Sequence, residues 1–196
     1  IADSADNPGG GAAGDATFVL RRMIERGIGD AALGPLWDPG AVRIAFEAGV
    51  GAQLPMRLGG KVSPLSGDPL DAPCTVKALA PSMVMSGLAG TTVALGDCAL
   101  VEAQGVEVVL ISRRSQAMGT DVFGGLGCDP AMKRIVVVKS SQHFRAAFAP
   151  IAVEILYASA PGSVSSDLAS LPYRKRPRPL WPPSRDAGTR RRCRLV

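Results

Sequence analysis

Histidine is almost absent from this 196-residue chain: His143 stands alone. A catalytic zinc site needs about three protein ligands, so a histidine-rich metal centre cannot be built from these residues by themselves. The four cysteines, Cys74, Cys98, Cys128 and Cys193, show no paired close spacing and match no zinc pattern. Apart from Cys193, in an arginine-rich tail, each lies among small or apolar residues, which points to reduced, buried thiols and a cytoplasmic setting. No apolar run approaches the roughly 20 residues of a bilayer span, and no signal-peptide layout is visible. The initiator methionine is missing too, and a chain that opens at Ile1 reads as part of a longer protein.

What is present is enough for one sizeable core. Hydrophobic types make up 46 % of the residues, which excludes disorder for most of the chain. The net charge of +5 suggests a nucleic-acid binder only until it is divided along the sequence. Nine of the 22 Lys and Arg residues fall in 172–196 beside a single acid, Asp186, so residues 1–171 are mildly acidic and the basic signal belongs to the tail. No aromatic residue interleaves the arginines after Trp181, so residues 183–196 read as a disordered basic extension rather than an RNA or membrane contact.

Hydrophobic spacing predicts helices over Ala16 to Arg26, Ala41 to Ala48 and Phe144 to Ala149, with a helical turn over Asp121 to Leu126. Asp38 caps the second helix and Pro39 starts it. Strands are expected at Ala31 to Leu36, Ala52 to Leu58, Cys74 to Leu79, Thr91 to Leu95, Cys98 to Ala103, Val106 to Ser112, Arg134 to Lys139 and Ile155 to Ser159. Gly96-Asp97 reads as a hairpin turn, and the Pro-, Ser- and Gly-rich stretch 62–73 as a surface loop. The expected fold class is α/β: a layered domain with a largely parallel central sheet and a small antiparallel insertion.

Two segments carry candidate chemistry. Asp3 to Pro8 runs into Gly9-Gly10-Gly11 just before the first helix. Glycines there allow a sharp turn that presents N–H groups to an anion, with the helix N-terminus behind it; equally, the stretch reads as a tight turn capped by Asp15 or Thr17. His143 follows the expected strand Arg134 to Lys139 and sits beside Lys139, Ser140, Ser141 and Arg145, a set able to hold an anionic or carbonyl-bearing ligand. A lone histidine at a helix start is also a common cap or core group. Arg113 and Arg114, at another strand end, can face the same rim. Gly59-Gly60-Lys61 resembles the end of a phosphate loop, but Pro55 and Val62 occupy the positions that need Gly and Ser or Thr, so an NTPase is rejected.

Taken together, D-S-A-D-N-P-G-G-G at 3–11, L-W-D-P at 36–39, L-G-G-K at 58–61, S-R-R-S-Q at 112–116 and I-V-V-V-K-S-S-Q-H-F-R-A-A-F-A-P at 135–150 resemble the carboxy-terminal domain of the microcystinase C (MlrC-like) metallopeptidase family. The resemblance covers residues 1–182 and stops before the tail of 183–196. It implies hydrolysis of amide bonds in small or linearised peptides at a metal, taken to be zinc, whose ligands belong mainly to a larger amino-terminal domain. This chain would then hold no metal itself, be inactive without that domain, and line the other side of the cleft. In that reading His143 hydrogen-bonds the reacting carbonyl or moves a proton, with Asp6 as a second catalytic group. Gly9, Gly10, Gly11 and Arg145 bind a substrate carboxylate or oxyanion, and Asn7, Lys139, Ser141 and Arg113 complete the substrate side. The implied partners are the amino-terminal domain and a small peptide, with no nucleic acid or membrane, and a homo-oligomer is allowed. The reading left open beside it is a stand-alone binding module for a small anionic ligand.

Overall fold

The structure, a computed structural model, describes residues 1–168, 171, 174 and 175. The segment 183–196 read as a tail lies outside the described residues. Six strands form one mixed sheet in the order β2-β3-β4-β5-β1-β6. They are β1 (Ala31–Trp37), β2 (Gln53–Leu58), β3 (Leu70–Ser86), β4 (Thr92–Ala103), β5 (Val106–Ile111) and β6 (Ile135–Val138). Helices α1 (Phe18–Glu25) and α2 (Pro39–Ala48) cover one face; the short α3 (Asp121–Gly124) and α4 (Arg145–Phe148) cover the other. On the first face Leu20, Met23, Val42 and Ala45 pack with Leu33, Val101 and Leu110. On the second, Phe123, Phe144 and Phe148 pack with Leu100, Val109 and Ile111. Each large side chain removed from water contributes about 1.5–3 kcal/mol, so both faces hold the sheet. Among the described residues no helix is long and apolar enough to cross a membrane.

The sheet is not largely parallel. Parallel pairing is confined to β1 with β5 and β1 with β6, while β2/β3, β3/β4 and β4/β5 are antiparallel. The antiparallel part is therefore no insertion, because β4 turns directly into β5 and carries the hairpin into the main sheet. The expected loop 62–73 also ends early. Leu70, Ala72, Cys74 and Val76 alternate inward along one continuous strand, and Pro73 lies opposite Pro55 on the edge strand β2. Gly96-Asp97 makes no hairpin. It lies within β4 at a bulge where the register jumps from Ala80↔Cys98 to Met83↔Gly96, and the β3–β4 hairpin turns instead at 87–91. The expected last strand shrinks to one bridge, Ala2↔Tyr157, while Ala2 also bridges Val138 of β6.

Asp38 caps α2 as expected, accepting from the Ala41 amide at 3.0 Å. Thr17 occupies the N-cap position of α1 without a side-chain cap; its hydroxyl donates to the Asp68 carbonyl at 2.7 Å.

Candidate functional site

Because β5, β1 and β6 run parallel, their carboxyl ends open on one rim, where loops can supply side chains to a ligand. The segments 112–120 after β5 and 139–144 after β6 meet the amino-terminal loop 3–17 there.

The loop is tied down by a buried charge cluster. Lys139 is fully buried at the end of β6, and its ammonium donates to Asp3 Oδ2 at 3.1 Å, Asp6 Oδ2 at 2.7 Å and the Ala16 carbonyl at 2.8 Å. Burial alone would lower its pKa, but the Asp3 and Asp6 carboxylates outweigh that and hold it above the ordinary lysine value. Asp6 also accepts from the Gly14 amide at 2.9 Å and the Ala16 amide at 2.7 Å. Lys139 and Asp6 were expected on the cleft wall; Lys139 lies sealed beneath it, and Asp6, though it borders the small cleft at Arg114, is buried, with the Lys139 ammonium and both Asp6 oxygens committed to protein partners. Strand-end Lys and loop Asp have the same sequence signature in either role, because only burial separates them.

Above this cluster the glycine turn closes on itself. Asn7 Oδ1 accepts from the Gly9 amide at 2.9 Å; the Gly10 and Ala12 amides donate to the Asn7 carbonyl, and the Gly11 amide to that of Pro8. The expected anion cradle is thus not formed by Gly9, Gly10 and Gly11, whose N–H groups are all used within the turn. Only Gly11 of the three has a left-handed φ, 99°. Gly9 serves close approach: a Cβ there would stand 2.5 Å from Gln116 Oε1 and 2.6 Å from its Nε2. The free end of Asn7 reaches across the rim, its Nδ2 donating to Ser141 Oγ at 2.8 Å.

Beside that bond lies His143. Its ring is exposed, and Nδ1 is 2.8 Å from Nε2 of the buried Gln116, whose Oε1 is 3.5 Å from the hydroxyl of fully buried Ser140. Arg145 is exposed one helical step on, donating to the Tyr157 hydroxyl at 3.2 Å. The structure therefore brings together Asn7, Gly9, Ser141 and His143 of the expected residues. Arg113 is not among them: its side chain lies against Gly96 of β4, where a Cβ would come within 2.9 Å of it. Arg114, itself exposed, reaches toward the loop in its place, with Nη1 3.4 Å from the Ala12 carbonyl and the guanidinium 6.0 Å from the Trp37 ring centroid. It borders a cleft of about 210 Å³ with Gly11, Ala13, Ser63, Ser66 and Ser163. Gln116 escaped the sequence reading except as the last residue of the S-R-R-S-Q run; Ser140, read there as part of the ligand-holding set, is instead fully buried behind Gln116.

The remaining motifs form a clasp rather than a phosphate site. Asp38 accepts from the Gly59 amide at 2.9 Å and from the Lys61 ammonium, while Asp15 accepts from the Lys61 and Val62 amides. Gly59 must be glycine: its φ is 54° and a Cβ would lie 2.4 Å from the Asp15 carbonyl oxygen.

Among the described residues no three His, Cys, Asp or Glu side chains gather into a possible metal site. The donors near the rim do not fit one either, since Asp3 and Asp6 share an ammonium and His143 faces an amide.

Comparison with known proteins gives a consistent match. Residues 1–175 match the family model described as MlrC C-terminus. Microcystinase C of Sphingomonas sp is 40 % identical over 183 residues, which is 93 % of this chain and 35 % of that protein. The crystal structure of a candidate metallopeptidase from Mesorhizobium sp. BNC1 superposes with a TM-score of 0.77 at 26 % identity, over 92 % of this chain and 37 % of the other. The chain spans about a third of the length of each.

Proposed function

The chain belongs to the MlrC C-terminal family, and from that membership we propose that it is the substrate-facing part of a metal-dependent hydrolase cutting amide bonds in small or linearised peptides. The metal, zinc in this reading, is held by the part of the protein that the family's longer members carry beyond this match. The observation that supports the division is the donor set of the rim. It offers an exposed imidazole, amides, hydroxyls and guanidinium groups, which suit a peptide's oxygens better than a divalent cation.

In this account His143 meets the reacting carbonyl, and Arg145, Asn7 and Ser141 hold the substrate. Arg114 adds a guanidinium at the neighbouring cleft, a role first assigned to Arg113. Asp6 and Lys139 act through the loop they anchor, and Gly9 to Gly11 set its shape. The protein works in the cytoplasm with its metal-binding part as partner, needs neither nucleic acid nor membrane, and is compatible with a homo-oligomer. The domain runs to residue 182.

A direct test is hydrolysis of a linear peptide by the 196-residue chain with added zinc. No turnover above buffer is expected, and robust zinc-dependent turnover would overturn the division of labour. Calorimetry with phosphate and short carboxylates separates the alternative of a stand-alone anion-binding module, which requires saturable binding.

A further inference from the structure

Gln116, in the segment after β5, lies between Gly9 of the amino-terminal loop and His143, and no role is assigned to it above. Ser140 is fully buried, and among the described residues the one acceptor in reach of its hydroxyl is Gln116 Oε1, 3.5 Å away, a long contact. A buried O–H needs an acceptor; turning the Gln116 amide over would leave that proton facing an NH2 group. The amide is thereby oriented with Nε2 toward His143 Nδ1 at 2.8 Å. Since an amide nitrogen only donates, Nδ1 must accept, and the proton of the neutral ring lies on Nε2. Gly9, lacking a Cβ, leaves the room in which Gln116 sits.

We infer that Gln116 is a positioning residue that holds His143 as the Nε2–H tautomer, so that the exposed ring nitrogen meets a ligand as a hydrogen-bond donor to a carbonyl or carboxylate oxygen. Of the two roles considered for His143, the geometry selects donation over proton abstraction. What this proton does in catalysis rests on the peptidase reading; the tautomer itself does not.

The test uses 15N-histidine NMR on the 196-residue chain at alkaline pH, where His143, as its single histidine, gives one pair of ring-nitrogen signals. The wild type is expected to show the proton on Nε2. Gln116→Met, which keeps the shape and removes the donor, gives a mixture of tautomers. Gln116→Glu, nearly isosteric and able only to accept when ionised, moves the proton to Nδ1. A wild-type proton on Nδ1, or tautomer populations unchanged by either substitution, would overturn the inference. Should Gln116→Met fail to fold, Gln116→Glu carries the comparison alone. Failure of the peptidase reading is seen elsewhere, as unchanged turnover on His143→Ala in the full-length protein while the wild-type ring still carries its proton on Nε2.

Discussion

Asn7 and Ser141 lie 134 positions apart and are joined by a 2.8 Å hydrogen bond from the Asn7 amide to the Ser141 hydroxyl. That bond closes the glycine turn against the segment following β6 and fixes the width of the rim between them. The other end of Asn7 holds the Gly9 amide, so one side chain sets both the turn and its distance from His143. Replacing it with alanine removes both bonds. Asn7→Ala is expected to cost about 1–2 kcal/mol in urea unfolding.

The buried ammonium of Lys139 is shared by Asp3 and Asp6. Lys139→Met strands both carboxylates and is expected to cost about 3–5 kcal/mol, part of which returns when Asp6→Leu is added. The pH dependence has a fixed sign. The folded-state pKa of Lys139 is raised, so its contribution is complete below the ordinary lysine value of 10.5 and is lost as pH rises through the higher folded value. Denaturation curves collected from neutral pH to above 10.5 should show that alkaline loss in the wild type and not in Lys139→Met.

Two glycines separate space from backbone strain. Gly9 has no left-handed φ, and its hypothetical Cβ meets only the flexible end of Gln116. Gly9→Ala should therefore unfold close to wild type while pushing Gln116 away from His143, seen as a change in the ring-nitrogen spectrum. Gly59 has a φ of 54° and meets backbone, so Gly59→Ala should cost about 1–3 kcal/mol in thermal unfolding.

The thiols give a third check on the core. Burial is the leading cause pushing Cys74 up to about 11 and Cys98 and Cys128 up to about 12. In a Cys193→Ser variant, none of the three should react with an aromatic disulfide reagent at pH 8 until denaturant is added.

Much of this arrangement was legible in the sequence. Asp38-Pro39 announced a capped helix, and the β-branched run Ile135 to Val138 announced a strand ending beside His143. The antiparallel half was harder. Leu70 to Ser86 contains Pro73 and Pro81, and the expected strand covered only Cys74 to Leu79; pairing with β2 and β4 makes the whole stretch one strand. At the site, residue type revealed the cluster but not its layering. Lys139 and Arg145 are both cations near His143, and nothing in their spacing distinguishes the one sealed under the loop from the one in solvent. Gln116 carried no charge and no periodic signal, so its role emerged only from its neighbours Ser140 and His143.

In the proposed function His143 faces substrate while the metal is held elsewhere. The direct measurement is peptide turnover and bound zinc in a full-length MlrC-type protein carrying this chain as its carboxy-terminal part, compared with the same protein bearing His143→Ala. Loss of a donor to the developing oxyanion predicts a fall in kcat of about 10²–10³-fold with zinc content unchanged. An unchanged kcat, or a loss of zinc in step with activity, would contradict it.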